Sequence, residues 1–253
     1  MVELSVVLPA HNEQATIEQV VYEVHDVLDQ SGVASEIIVV NDGSVDRTGQ
    51  ILHALAKTIS MVRLIEHHPG RGYGGALRAG FDEALGKWIA FFPTDGQFVF
   101  SEVSQLVELT DRADIISGYR IDRQDPAIRR MNAFGWNLAV RTLFGYLCRD
   151  IDCGFKLFRR EILDHVQLVS DGAMIDTELL AGAKAYGYVI AELPVTHLSR
   201  QAGEATGAAP QVILTAFRDL VRFRIRLSRE ARRMEAVSGR DAGHPLRFGR
   251  DLS

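Results

Sequence analysis

One unit recurs through the first half of this chain: a short apolar run of strand length, a polar turn, then a longer stretch whose apolar residues recur at helical spacing. Leu4-Ser-Val-Val-Leu8 reads as a buried strand ending at Pro9. Ile17, Val20, Val21, Val24, Val27 and Leu28 then mark one face of a helix that Ser31-Gly32 stops. Glu36-Ile-Ile-Val-Val40 repeats the strand, Asn41-Asp-Gly-Ser turns the chain, Asp46 offers an N-cap, and Ile51, Leu52, Leu55 and Ile59 form a second amphipathic face. A strand over Val62 to Ile65, a glycine-rich loop, a helix over Gly74 to Leu85 and a strand over Trp88 to Phe92 continue the series. Such β-α repetition predicts an α/β fold with a mostly parallel, twisted central sheet and helices on both faces.

In sheets of this kind ligands bind beyond the carboxyl ends of the strands. The strand-end segments are therefore the candidate site. They read Pro9-Ala-His-Asn-Glu13, Asn41-Asp-Gly-Ser-Val-Asp46, His67-His-Pro-Gly-Arg-Gly-Tyr-Gly-Gly75 and Pro93-Thr-Asp-Gly-Gln97. Further on, Ala113 to Gly118 reads as a strand, about Pro126 to Leu147 as a helix, Thr177 to Tyr186 as a helix and Tyr188 to Leu193 as a strand. Gln201 to Pro210 is the first linker-like segment, which predicts one domain over residues 1–207, a helix over 208–237 and a loosely ordered tail over 238–253.

The loops suggest a nucleotide-diphosphate site. Glu13 and Asp42 can accept hydrogen bonds from a base or ribose, although a lone aspartate in a turn is more often a cap. The run from Gly70 to Gly75 opens a helix, so its backbone N-H groups can cradle a phosphate, with Arg71 adding charge. It lacks the Lys-Ser/Thr pair of a P-loop. Asp95-Gly-Gln97 presents a carboxylate and an amide oxygen, the hard donors that Mg2+ or Mn2+ prefer, but equally forms an ordinary Asp-Gly turn.

Five segments in order, Val6 to Glu13, Val39 to Asp46, Gly72 to Gly80, Phe91 to Gln97 and Asp150-Ile-Asp-Cys-Gly-Phe-Lys156, resemble the motifs of family 2 glycosyltransferases. Within that family the chain looks most like the dolichyl- or polyprenyl-phosphate sugar transferases, of the dolichol-phosphate mannosyltransferase kind. The resemblance implies a GT-A (Rossmann-like) single domain that binds a UDP- or GDP-linked sugar and a divalent metal and inverts the anomeric centre. By motif, Pro9, Ala10, Asn12, Glu13 and Asp42 would line the nucleoside pocket, Arg71 and Gly72 would approach the phosphates, and Asp95 and Gln97 would hold Mg2+ or Mn2+. The first acidic position of the family's Asp-x-Asp-x-Gln pattern is Pro93 here, which leaves one carboxylate for the metal. Arg120, Arg129 and Arg200 fall at the phosphate-binding arginines of the lipid-phosphate branch, while Ala133 stands where that branch has a serine. Arginine suits this task because its planar fork meets phosphate oxygens in pairs.

On this reading Asp95, Asp150, Arg120 and Arg200 are the catalytic candidates. A polyprenyl phosphate is already ionised at neutral pH and needs no general base, whereas a hydroxyl acceptor needs one. Asp150, Asp152, Asp176 and Glu178 are the carboxylates available, the last two also reading as dipole partners at a helix start. His197 is a metal ligand or a structural histidine. The alternatives are a family 2 enzyme with a hydroxyl acceptor, and a catalytically inactive nucleotide-binding GT-A module suggested by Pro93 and Ala133.

Charge marks the far end as different. Arg218, 222, 224, 226, 229, 232 and 233 face only Asp219 and Glu230, in a chain whose formal net charge is -5. Val212 to Leu227 interleaves these arginines with apolar residues, and from Val221 to Leu227 the alternation is two-residue, so both helix and strand fit. As a helix, residues 211–233 would lie at a membrane interface, pack on a partner, or dock on the domain itself. With an acidic body, nucleic acid is not an expected partner; self-association into a homo-oligomer stays open. No run has the length of a membrane span, the first residues have no signal-peptide form, and Cys148 and Cys153 match no metal or redox motif. Two free thiols in a reducing cytoplasm, with the protein peripheral on the inner membrane face, are the expectation.

Overall fold

The computed structural model describes residues 2–121, 127–199 and 210–238, with side chains throughout these except at 127–130, 132, 210–215 and 231–238. The elements run β1 (Leu4–Ala10), α1 (Ile17–Ser31), β2 (Ser35–Asp42), α2 (Thr48–Thr58), β3 (Val62–His67), α3 (Gly72–Glu83) and β4 (Trp88–Phe91). There follow a short α4 (Val103–Val107), β5 (Ile115–Ile121), α5 (Ala127–Phe144), β6 (Lys156–Arg159), α6 (Met174–Ala185), β7 (Ile190–Thr196) and α7 (Pro210–Ser238). The strands form one sheet in the order β3-β2-β1-β4-β6-β5-β7. β1 pairs in parallel with β2 and β4, β2 with β3, and β5 with β7. Only β6 runs against its neighbours β4 and β5.

That reversed strand positions the site. Because β6 is antiparallel, its start lies at the edge where β1, β2, β4, β5 and β7 end. The Asp150 to Cys153 turn before β6 thus joins the loops after the parallel strands, next to the point where the strand order reverses.

Alternation along each strand splits the core into two layers. Val7, Val40, Phe91, Ile115 and Phe158 pack with Leu77 and Phe81 of α3, Val140 and Phe144 of α5, and Leu179 and Leu180 of α6. Val6, Leu8, Val39, Phe92, Ile116 and Leu157 pack on the other side with α1, α2 and α4. α3 lies so close to β1 that a Cβ on Gly80 would stand 2.3 Å from Cγ1 of Val7, which only glycine permits.

Two elements depart from expectation in an instructive way. α3 starts at Gly72, two residues early, because its first N-H groups find acceptors outside the helix: Gly72 N-H in the Asp42 carboxylate and Gly74 N-H in the Asp171 carbonyl. The two-residue alternation from Val221 to Leu227 belongs to a helix. Phe223 and Leu227 are buried with Leu220, whereas Val221 and Ile225 are 51% and 47% exposed, so four residues that a strand would place on one face are divided between two. Leu220, Phe223 and Leu227 extend the core between α5 and α6.

Candidate active site

The first two loops are fastened to each other through residues expected to line a nucleoside pocket. Asn12 adopts the left-handed conformation (φ 57°), which asparagine tolerates better than most side chains. From there its N-H donates to Ser44 Oγ (3.0 Å) and its Oδ1 accepts the Val45 N-H (2.9 Å). Glu13 N-H donates to Thr48 Oγ1 (2.8 Å), and Asp46 Oδ1 accepts the Thr48 N-H (2.9 Å) at the start of α2. Pro9 and Ala10 close β1, and the Pro9 carbonyl accepts from Thr94 Oγ1 (2.8 Å), tying the first loop to the fourth.

Asp42, buried at the end of β2, gathers the third loop around its carboxylate. Oδ1 accepts the Arg71 N-H (2.7 Å) and pairs with Nδ1 of buried His67 (2.8 Å); Oδ2 accepts the Gly72 N-H (2.8 Å). This corrects the expected phosphate cradle: the N-H groups of Arg71 and Gly72 are engaged by Asp42, and that of Gly74 by Asp171. An ionised carboxylate has about four acceptor positions, so Asp42 keeps capacity for one further donor. The exposed Arg71 side chain and the α3 dipole are what this loop offers a phosphate in this conformation.

Asp95 follows β4 in a turn where its Oδ1 accepts the Gln97 N-H (3.2 Å). Gln97 is buried and bonded twice to the segment after β7: its Nε2 donates to the Leu198 carbonyl (3.1 Å) and its own carbonyl accepts the Leu198 N-H (2.8 Å). Both side chains carry hard oxygen atoms, which fits Mg2+ or Mn2+. Pro93 adds no ligand, and among the described residues no three His, Cys, Asp or Glu come together as a metal cage. The donor set therefore fits a cation that takes most of its shell from substrate phosphates and water. His197 packs its ring edge-on against Phe98 at 5.4 Å, a structural contact.

The turn before β6 carries the second group of acids, and each is differently placed. Arg120, at the end of β5, grips Asp150 through Nε and Nη2 (both 2.7 Å) with both side chains nearly buried. Two catalytic candidates thus prove to be partners. Asp176 stands in the first turn of α6, as expected, and is also buried in an ion pair with Lys156 (2.5 Å). Lys156 Nζ also donates to the carbonyls of Ile151 (2.9 Å) and Cys153, closing the turn that presents Asp150 and Asp152. Burial opposes the lysine's charge, yet the attraction of Asp176 keeps its pKa above the ordinary value, while burial raises that of Asp176 in spite of the lysine. Glu178 accepts from the N-H groups of Val169 and Ser170 and pairs with Arg226.

That leaves Asp152. Burial, then the charges of Asp176 and Asp150, raise its pKa from 3.8 to about 7. Tyr73 reaches toward the same acids from the glycine-rich loop; burial and then Asp176, Cys153, Asp152 and Asp95 hold its phenol well above the ordinary value. Lys156 and Tyr73 were not among the sequence candidates. A lysine inside the apolar run Gly-Phe-Lys-Leu-Phe was the available signal for the first. Cys148 and Cys153 are free and buried, with burial raising their thiols to about 11 and about 12. Arg200 lies outside the described residues, and so does the side chain of Arg129, whose backbone is in the first turn of α5.

A doubly wound sheet with an acid-rich edge of this topology is a GT-A fold, and residues 5–167 match Glycosyl transferase family 2. The chain belongs to that family. It is 35% identical over 209 residues to Glycosyltransferase AglD of Haloferax volcanii, an alignment covering 77% of this chain and 33% of that protein. It is 30% identical over 220 residues to an undecaprenyl-phosphate 4-deoxy-4-formamido-L-arabinose transferase of Pseudomonas aeruginosa, covering 86% of this chain and 64% of the relative. The chain thus spans one third to just under two thirds of the length of these relatives. Among solved structures it resembles glucosyl-3-phosphoglycerate synthase of Mycobacterium tuberculosis in complex with UDP, with a TM-score of 0.69 at 22% identity over 88% of this chain and 80% of the other.

Proposed function

We propose that this protein is an inverting glycosyltransferase that moves a sugar from a nucleoside-diphosphate sugar to a polyprenyl phosphate at a membrane surface. The observation that carries the reading is the convergence of Asp42, Asp95, Arg120 and Asp152 at one sheet edge, in a chain related to an undecaprenyl-phosphate sugar transferase. Mg2+ or Mn2+, held by Asp95 with Gln97 and by the donor diphosphate, would supply charge neutralisation for the departing nucleotide. Asp42 shapes the nucleoside wall by fixing the Arg71-Gly72 backbone, and the Arg71 side chain stands at the mouth of the same loop. Asp150 holds Arg120 by its Nε–Nη2 edge and so sets the plane in which the guanidinium meets a phosphate. Arg129 and Arg200 are assigned to the acceptor phosphate by motif position.

Membrane contact is assigned to the outer faces of α5 and α7. Phe217, Val221 and Ile225 are exposed on α7 beside Arg218, Arg222 and Arg229, and Met131, Phe134 and Leu138 are exposed on α5. A cationic, apolar surface of this kind suits an anionic lipid interface. No helix among the described residues is long and apolar enough to cross a membrane.

Asp152 gives a second reading its own support. A carboxylate with a pKa of about 7 is matched to proton abstraction at neutral pH, which a hydroxyl acceptor requires and an ionised phosphate does not. Transfer from radiolabelled UDP- and GDP-sugars to undecaprenyl phosphate, with wild type and Asp152→Asn, tests both. Lipid-linked product that survives the substitution to within about tenfold supports the phosphate acceptor. Loss by a factor of about a hundred or more would show that Asp152 is needed even for an ionised acceptor and so remove its support for a hydroxyl acceptor, and no transfer to the lipid from any donor would sink the first reading.

A further inference from the structure

We infer that Arg226, on the C-terminal helix, is a positioning residue for the donor site, acting through Glu178 and the segment 167–172 on the glycine-rich loop. The inference rests on the proposal that this loop borders the nucleotide pocket. Arg226 and Glu178 lie beyond the segment 5–167 that matches the family.

The relay is continuous in hydrogen bonds. Nη2 of Arg226 bonds Glu178 Oε1 (3.0 Å) and the Gln167 carbonyl (3.2 Å). Glu178 is almost wholly buried, and its Oε2 accepts the N-H groups of Val169 (2.8 Å) and Ser170 (2.9 Å). One carboxylate and one guanidinium therefore hold the backbone at residues 167, 169 and 170. The next residues grip the glycine-rich loop: the Asp171 carbonyl accepts the Gly74 N-H (2.9 Å), and Arg78 reaches back to the Ser170 carbonyl and to Asp171 Oδ1 (2.5 Å).

This contact has no slack. A Cβ on Gly74 would stand 2.2 Å from the Ser170 oxygen and one on Gly72 2.5 Å from the Asp171 oxygen, so two backbones touch directly. The far side of the same loop is held by Asp42 through Arg71 and Gly72. The loop is clamped between two carboxylate-anchored segments, and a shift of 169–171 has to be taken up at Gly72 to Gly74. Arg226 is the replaceable member of the relay. It is partly exposed, on a helix whose attachment comes from Leu220, Phe223 and Leu227, whereas removing Glu178 would leave the N-H groups of Val169 and Ser170 without their acceptor.

The test is titration of UDP and GDP with Mn2+ into the full chain, together with hydrogen exchange of the peptide spanning 70–76, for wild type, Arg226→Ala and Arg226→Lys. Arg112→Ala, exposed just before β5 begins, serves as control. We expect the alanine variant to bind the nucleotide about 3- to 10-fold more weakly and to exchange faster at 70–76, while exchange in β1 and β2 stays as in wild type. Lysine should restore most of both, because a single nitrogen of Arg226 makes both of its bonds. Affinity within twofold of wild type, or faster exchange throughout the sheet without rescue by lysine, would overturn the inference. If the wild type binds neither nucleotide, the donor-site reading falls and takes the inference with it; a wild type that binds and an alanine variant that binds equally well defeat the inference alone.

Discussion

The two halves of the site handle carboxylates by different means. On the β1 to β4 side Asp42 is satisfied by two backbone N-H groups and a histidine, and Asp46 by N-H groups of Thr48 and Gln14. On the β5 to β7 side Asp150 and Asp176 are satisfied by buried cations, Arg120 and Lys156. Backbone donors cannot leave or change protonation, so the first half is a set of shaped loops with little room for electrostatic adjustment. Charged partners bring two desolvated groups into the interior and depend on each other, so the second half is where removing a single side chain is costly and where carboxylate pKa values are raised.

The largest effect should come from breaking the cationic side. Lys156→Ala leaves Asp176 buried without its partner and opens the turn that carries Asp152, and should cost about 3–5 kcal/mol in urea unfolding. Asp42→Ala, its counterpart across the site, leaves N-H groups of the glycine-rich loop unpaired and should cost about 1–3 kcal/mol. Equal costs, or a larger one at Asp42, would erase the distinction between the halves.

A pH series sharpens the same contrast. Asp152 has its pKa raised from 3.8 to about 7, so the folded protein holds that proton more tightly than the unfolded chain. Its contribution to stability is fully present below about pH 4 and is lost as pH rises through about 7. Asp152→Asn keeps the neutral state at every pH, so in metal-free buffer its melting temperature should climb relative to wild type between pH 4 and 8, with the gap closing at the acid end. A gap independent of pH would show that Asp152 is not held protonated by burial and its neighbouring acids.

The smallest change in stability is expected on the outer face of α7. Replacing Phe217, Val221 and Ile225 together by serine removes exposed apolar surface and should leave the melting temperature within a few degrees of wild type. Co-sedimentation with vesicles containing anionic lipid should fall several-fold; unchanged co-sedimentation would remove this face from the proposed membrane contact.

The loops of the first half were legible because each lies directly between a strand and a helix of the same β-α unit, and turn residues such as Asn41-Asp-Gly-Ser mark where the strand ends. What those residues do there was less so. Asp42 and Gly72 were both singled out, yet their bond to each other spans 30 residues and converts the expected phosphate cradle into an anchor. The second half hid more, because its defining contacts join residues far apart in the chain: Arg120 with Asp150, Lys156 with Asp176, and Glu178 with Arg226, which are 48 positions apart. No periodicity reports such pairs.

Local patterning alone thus determined the α/β class, the order of the units and which loops bear chemistry, since alternation and helical spacing are short-range properties of burial. The tertiary structure decided which acids are anchors, which are paired and which one has its pKa raised to about 7. That choice turns on the reversal of β6, which brings the Asp150 to Cys153 turn to the edge where the parallel strands end, and on the docking of α7. Both are long-range consequences of how the layers close, and a charge acquires its partner and its pKa only when they do.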